Sequence, residues 1–297
     1  MSSIETMKAW AQLIKSYDEV PGSFKDFVAT TLLPQTTTFP YMVLTPSYEG
    51  FLHRTTAKLV CSIDDKIYIA EKSKDKPTVT CFKVTDVNYV EVGSILLKSW
   101  IKISGITETG LATSTFKFSA VTLGLFRPII EKVRQSAGPV AATTDLKAER
   151  SKFNHLINAN FKFMNYARKS ILPGERVICT VLQPEIRVKL VELFHKPLLK
   201  TISMPHISIL TNQELILIRD DAERWTRDAS YGGIWSYIPL QKITAVALSE
   251  AENDTLSLEV QMPANDKIRA LFSATNKPEV TSLLSQFQGV TPALAAV

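Results

Sequence analysis

Cysteine and histidine are scarce in this sequence. Cys61, Cys81 and Cys179 lie far apart, and no two stand at CxxC spacing. An odd, sparse set reads as free thiols in a reducing compartment, not as a disulfide framework. The four histidines are His53, His155, His195 and His206, and none sits four residues from another His or from a Cys. That removes HExxH and the short Cys/His metal patterns. There is no Gly-rich phosphate loop and no GxSxG elbow. The expectation is a chain with no catalytic motif, no metal site and no cofactor.

Other absences narrow the class. No stretch approaches the roughly 20 apolar residues of a membrane span. The opening MSSIETMKAW has neither the basic nor the apolar region of a secretory signal. A soluble, cytoplasmic protein is expected. The net charge of +5 comes from 34 basic and 29 acidic residues, with no arginine- or lysine-rich block. Lys72, Lys74 and Lys76 cluster, but Glu71 and Asp75 interleave with them. Nucleic acid is therefore the least favoured partner.

What the chain does contain is a long-period repeat. FKDFVATTLLP from Phe24 returns as FMNYARKSILP from Phe163. Val43-Leu44-Thr45-Pro46 returns as Val181-Leu182-Gln183-Pro184, and FLHRTTAK from Phe51 as LFHKPLLK from Leu193. SIDDKIYIAEK from Ser62 matches ILTNQELILIRD from Ile209, and TCFKVTDVNYVEV from Thr80 matches SYIPLQKITAVAL from Ser236. Phe118-Ser119-Ala120 matches Phe272-Ser273-Ala274. Each match is weak alone, but all occur in one order. The extra length of the second copy falls near Phe194–His206 and Asp220–Trp235, where insertions are cheap. The reading is a first domain over residues 1–136, a linker and helix start over 137–150, and a second domain over 151–297.

Each copy is expected to open with a helix. Ser2 and Glu5 form a capping-box pattern ahead of Ile4, Met7, Trp10, Ile14 and Tyr17 at helical spacing. Asp145 is placed to cap a helix whose apolar face includes Leu156, Ile157, Phe161 and Met164. Short strands follow, with tight turns at Asp64-Asp65 and Asn212-Gln213. Phe82 and Val84 alternate before a slip to Val87, and Ile238, Leu240 and Ile243 repeat the slip. A β-bulge in a curved strand accounts for it. SILLKSWIKIS reads as one further strand. Each copy ends in an amphipathic helix, through Phe126, Ile129, Ile130 and Val133, or through Val280, Leu283, Leu284 and Phe287.

Short antiparallel strands followed by one C-terminal helix resemble the pleckstrin-homology-like superfamily, in particular bacterial PH and GRAM-like domains. LPGERVICTVLQP, HISILTNQELILI, SYIPLQKITAVAL and IRALFSATNKPEVTSLL carry the resemblance in the second copy. IDDKIYIAEK and CFKVTDVNYVEV carry it in the first. The resemblance implies an α+β fold of two tandem PH-like domains. Each would be a strongly curved antiparallel sheet or barrel closed by a C-terminal helix. With no catalytic motif found, the reading is a non-catalytic cytosolic binding protein, acting on a protein or peptide partner or associating with itself, with an uncharacterised enzyme as the distant alternative.

The resemblance also implies that the loop after the first strand holds basic residues for a phosphorylated headgroup. His53, Arg54 and Lys58 in one copy, and His195, Lys196 and Lys200 in the other, are the candidates. Arg and Lys pair with phosphate oxygens, and an anionic membrane surface is the alternative partner. Solvated hairpin tips would carry the same residues. In the second copy, Pro197 and Leu198-Leu199 either insert at a membrane surface or anchor the loop. Trp225, Tyr231 and Trp235 flank a Gly pair, and they form either a ligand surface or aromatics folded onto the scaffold.

Overall fold

The computed structural model describes residues 10–49, 54–137, 144–193, 196–221 and 232–290. The chain divides into two compact units, Met1–Ser136 and Ala137–Val297. Both mix helix with antiparallel sheet, and the sheets stay open among the described residues. The expected closure into a barrel is not seen.

In unit 1, β1 (Gln12–Ile14) is followed by α1 (Gly22–Phe27), which runs on through a π turn and a 3₁₀ turn to Gln35. Then come β2 (Tyr41–Thr45), a small hairpin of β3 (Tyr48–Glu49) and β4 (Arg54–Thr55), and β5 (Lys58–Ile63), β6 (Lys66–Glu71) and β7 (Thr78–Lys83). The first sheet has the order β1-β2-β5-β6-β7. Phe24, Val28 and Leu32 from the helical segment meet Met42, Leu59 and Cys61 of the sheet in one buried cluster. A 3₁₀ turn over Val84–Asp86 leads to β8 (Val87–Ile95), β9 (Lys98–Thr107) and β10 (Gly110–Ser119), and α2 (Arg127–Arg134) closes the unit. Phe126 ahead of α2 packs on Phe116 and Phe118, with ring centres 5.2 and 4.3 Å away.

Unit 2 repeats this order. It opens with α3 (Leu146–Ser151) and α4 (Phe161–Ser170). Then follow β11 (Val177–Gln183), a hairpin of β12 (Ile186–Leu193) and β13 (Lys196–Ser203), and β14 (His206–Thr211), β15 (Glu214–Arg219) and β16 (Gly232–Pro239). A 3₁₀ turn over Leu240–Lys242 leads to β17 (Ala245–Ala251), β18 (Thr255–Met262) and β19 (Asp266–Ser273), and α5 (Lys277–Val290) ends the unit. Backbone hydrogen bonds recur at matched places. Val84 N–H donates to Asp65 O at 2.7 Å, as Leu240 does to Gln213 at 2.9 Å. Ala120 N–H donates to Leu97 O, and Ala274 N–H to Asp254 O, both at 2.9 Å.

Four expectations are corrected. First, the N-terminal helix does not reach Tyr17. Ser2, Glu5 and Met7 lie outside the described residues, but Gln12–Ile14 is a strand on β2, with Leu13 opposite Val43. Pairing satisfies the backbone at the β2 edge and buries Ile14, so tertiary context overrides the helical spacing. Second, Asp145 caps only the short α3, and Asn160 caps α4 through Phe163 N–H. Leu156 and Met164 are buried, whereas Ile157 and Phe161 are exposed.

Third, the slip after Phe82 and Ile238 is a 3₁₀ turn and not a bulge. Residues three apart eclipse in such a turn, so Val84 and Val87, or Leu240 and Ile243, both reach the core. An irregular register does occur, but later, between Val87 and Tyr89 against β9. Fourth, SILLKSWIKIS is not one strand. It turns back at Leu96-Leu97, and Ile95 pairs with Lys98.

Candidate functional site

Both connections between the first two core strands fold as hairpins, and they differ in length. In unit 1, β3 and β4 pair through two residues each, Tyr48 with Thr55 and Glu49 with Arg54. In unit 2, β12 and β13 pair from Ile186–Ser203 to Leu193–Lys196 as a sheet of their own. Two register shifts, between Ile186 and Arg187 and between Lys189 and Val191, twist this arm. Its root is tied by Glu185, which accepts from Thr201 Oγ1 at 2.6 Å and pairs with Arg187. These hydrogen bonds, with a smaller share from the Arg187 charge, hold the Glu185 carboxyl below its ordinary range.

The hairpin of unit 2 exposes apolar and basic residues together. Leu198 and Leu199 are 55% and 43% exposed. Lys189 stands opposite Leu199 and Val188 opposite Lys200, so leucine and lysine share the arm's surface. Arg187, Lys189 and Lys200 are exposed. Across 186–203 the sequence has four Lys or Arg against one Glu.

The expected match between Lys58 and Lys200 does not hold. Lys58 opens β5 opposite Thr45, and the residue at that place in unit 2 is His206, opposite Gln183. Lys200 lies within the hairpin instead. The Lys58 ammonium is also engaged, donating to Thr115 O at 2.8 Å and pairing with Glu71 at 2.9 Å. Burial raises the Glu71 pKa, but hydrogen bonds from Thr56 and Lys58 and the ammonium charge carry it below the ordinary value. Lys58 is thus a structural cation. Arg54 and Lys196 each follow a hairpin tip and are placed by backbone alone. His53 and His195 lie outside the described residues.

His206 is buried, with Nδ1 on Met204 O at 3.1 Å and its ring edge-on to Phe272 at 4.9 Å. Burial, aided slightly by the Arg219 charge and opposed by the Met204 bond, pushes its pKa down to about 4. It is a neutral core residue with an unpaired Nε2.

The aromatic question resolves for Trp235. It sits on β16 and packs on Tyr166 of α4, with ring centres 4.8 Å apart. A Cβ on Gly233 would come within 3.0 Å of the Tyr166 ring and 3.3 Å of Trp235, which explains glycine there. Lys162 stands 5.7 Å from the Tyr166 ring and pairs with Asp220 at 2.7 Å. Burial raises the Tyr166 pKa, and the Asp220 charge adds to the shift. Trp235 is therefore part of the scaffold. Trp225 and Tyr231 lie outside the described residues.

Among the described residues no three His, Cys, Asp or Glu side chains gather as a metal site. No described helix is long and apolar enough to cross a membrane. Burial raises the Cys61 thiol to about 12 and the Cys179 thiol to about 11, far from a reactive thiolate. Sequence reasoning missed Arg187 and Lys189 because their strand carries no motif. Their alternation with Ile186 and Val188 was the available signal. Compared with known proteins, the chain matches no protein-family model and no curated protein.

Proposed function

We propose that the chain is a non-catalytic binding protein of two tandem PH-like units that docks on an anionic lipid surface through the β12–β13 hairpin. Two features support the PH-like assignment. In both units four core strands, a 3₁₀ turn, three strands and a C-terminal helix follow in the same order, and the same backbone hydrogen bonds recur. One observation carries the docking reading: exposed Leu198 and Leu199 stand among exposed Lys189 and Lys200, with Arg187 held by Glu185 at the root, on an arm whose described residues form a sheet of their own. Leucines at the headgroup boundary lose water while the cations meet lipid phosphates.

A protein or peptide partner is the second reading, favoured by the two leucines taken without the lysines. Salt separates the two. Co-sedimentation with anionic vesicles should be strong at low salt, weaken at high salt, and fall in Leu198→Ser/Leu199→Ser and in Lys189→Ser/Lys200→Ser. Equal binding by parent and both variants would overturn the docking reading.

A further inference from the structure

Outside the hairpin, the two units differ most tellingly at one matched turn. The tie from Ala120 N–H to Leu97 O in unit 1 corresponds to that from Ala274 N–H to Asp254 O in unit 2. Unit 2 builds this β17–β18 turn with Asn253 and Asp254, both at positive φ, 59° and 52°. Asn and Asp tolerate that region and are at home in water. Unit 1 builds its β8–β9 turn with Leu96-Leu97. Leu96 sits at φ 53°, where a bulky side chain is a genuine outlier. Glycine is the ordinary choice at the positive-φ position of a two-residue hairpin. Leu96 and Leu97 are 49% and 56% exposed. Val121, next to the tied Ala120, is exposed as well.

Unit 1 thus holds two half-exposed leucines on a two-residue turn that strains one of them, where the matched turn of unit 2 is polar and one residue longer. Neither the turn geometry nor burial favours leucine at these two positions. The surrounding charge indicates what does. Glu91, Glu108 and Glu131 are the only acidic residues of the sequence from 91 to 131; Lys102 stands opposite Glu91 and Arg127 pairs with Glu131, while Lys98 and Lys117 are the exposed lysines nearest the turn. Lys98 is exposed beside the turn, and exposed Lys117 lies opposite Trp100, two residues farther along β9.

We infer that the Leu96-Leu97 turn, with Val121 beside it, is a second membrane-contact site that inserts into an anionic bilayer surface. A projecting turn of apolar residues with lysines behind it has the layout of an interfacial anchor: side chains enter the acyl boundary and cations stay at the phosphates. The site belongs to unit 1 and does not rest on the hairpin of unit 2.

The test uses the full chain and vesicles of mixed phosphatidylcholine and phosphatidylserine. Leu96→Gly/Leu97→Asn keeps the charge and supplies what the turn prefers. Its thermal midpoint should equal or exceed that of the parent, while vesicle partitioning falls on the order of 10-fold. Leu97→Ser, at a residue without positive φ, should lower partitioning by a smaller factor. An environment-sensitive dye at Leu97→Cys should shift to the blue on vesicles, independently of one at Leu199→Cys in the hairpin. A shift at position 97 alone would sink the hairpin reading and keep this one. A shift at 199 alone would do the reverse. Unchanged partitioning in both turn variants overturns the inference. So does a parent dimer that Leu96→Gly/Leu97→Asn dissolves, which would make the turn a protein contact.

Discussion

The amide of Val84 meets the carbonyl oxygen of Asp65 at 2.7 Å. This bond joins the end of β7 to the β5–β6 turn and fixes where the chain leaves the first sheet. Leu240 and Gln213 make the same bond in unit 2 at 2.9 Å. In both units the donor residue also drives its side chain into the core. Leu240→Ala should therefore cost about 3 kcal/mol and Val84→Ala about 2 kcal/mol. Denaturant titration checks this. Losses below about 0.5 kcal/mol, the usual range for surface substitutions, would mean that the turns are not cornerstones of the units.

His206 makes stability depend on pH in a window of its own. Its folded pKa of about 4 lies below the 6.5 of an unfolded imidazole. The unfolded state thus takes up the proton first. The His206 contribution is fully present above pH 6.5 and is lost as pH falls toward 4, amounting to about 3 kcal/mol at the end. Most carboxylates titrate below pH 5, so the loss between pH 6.5 and 5 is diagnostic. His206→Gln should flatten the unfolding free energy over that interval. An equal slope in parent and variant would refute the assignment.

Lys162 and Asp220 form a pair with side chains only 23% and 14% exposed. Burial raises the Asp220 pKa, and the hydrogen bond and charge of Lys162 oppose the rise. A raised carboxyl pKa means that the folded state binds the proton more tightly. Asp220 therefore lowers stability as pH rises above the ordinary carboxylate value. Lys162→Met should cost about 2 kcal/mol at pH 7, because it leaves the carboxylate uncompensated. Adding Asp220→Asn should recover part of that loss. No recovery would place the effect of Lys162 in its packing on Tyr166.

The repeat and the strand turns were legible in the sequence because they use strong signals. Asp64-Asp65 and Asn212-Gln213 are polar residues between alternating apolar runs, and Asp64 does take a positive φ of 43°. Three features were not legible, each for its own reason. The β8–β9 turn uses Leu96-Leu97, which have none of the chemistry that marks a turn. The strand Gln12–Ile14 exists only because β2 offers an edge, and helical spacing around Trp10 and Ile14 does not record that. The pairing of Lys58 with Lys200 failed because the inserted hairpin shifts the register between matched strands. The lysines that end the similar stretches FLHRTTAK and LFHKPLLK therefore fall on different elements, Lys58 on β5 and Lys200 on β13. Of the candidate site, the basic and leucine content of the second hairpin was visible. The engagement of Lys58 by Glu71 was not, since it joins residues from two strands.

The most direct test exchanges the hairpin itself. Thr45 opposite Lys58 and Gln183 opposite His206 define matched ends, so segment 46–57 can replace 184–205 without moving either flanking strand. Vesicle co-sedimentation at low and high salt would then be compared with that of the parent, and the thermal midpoint would be recorded on the same samples. The account predicts a chimera that melts within a few degrees of the parent and has lost most of the salt-sensitive binding to anionic vesicles. A folded chimera that binds as tightly as the parent would contradict it.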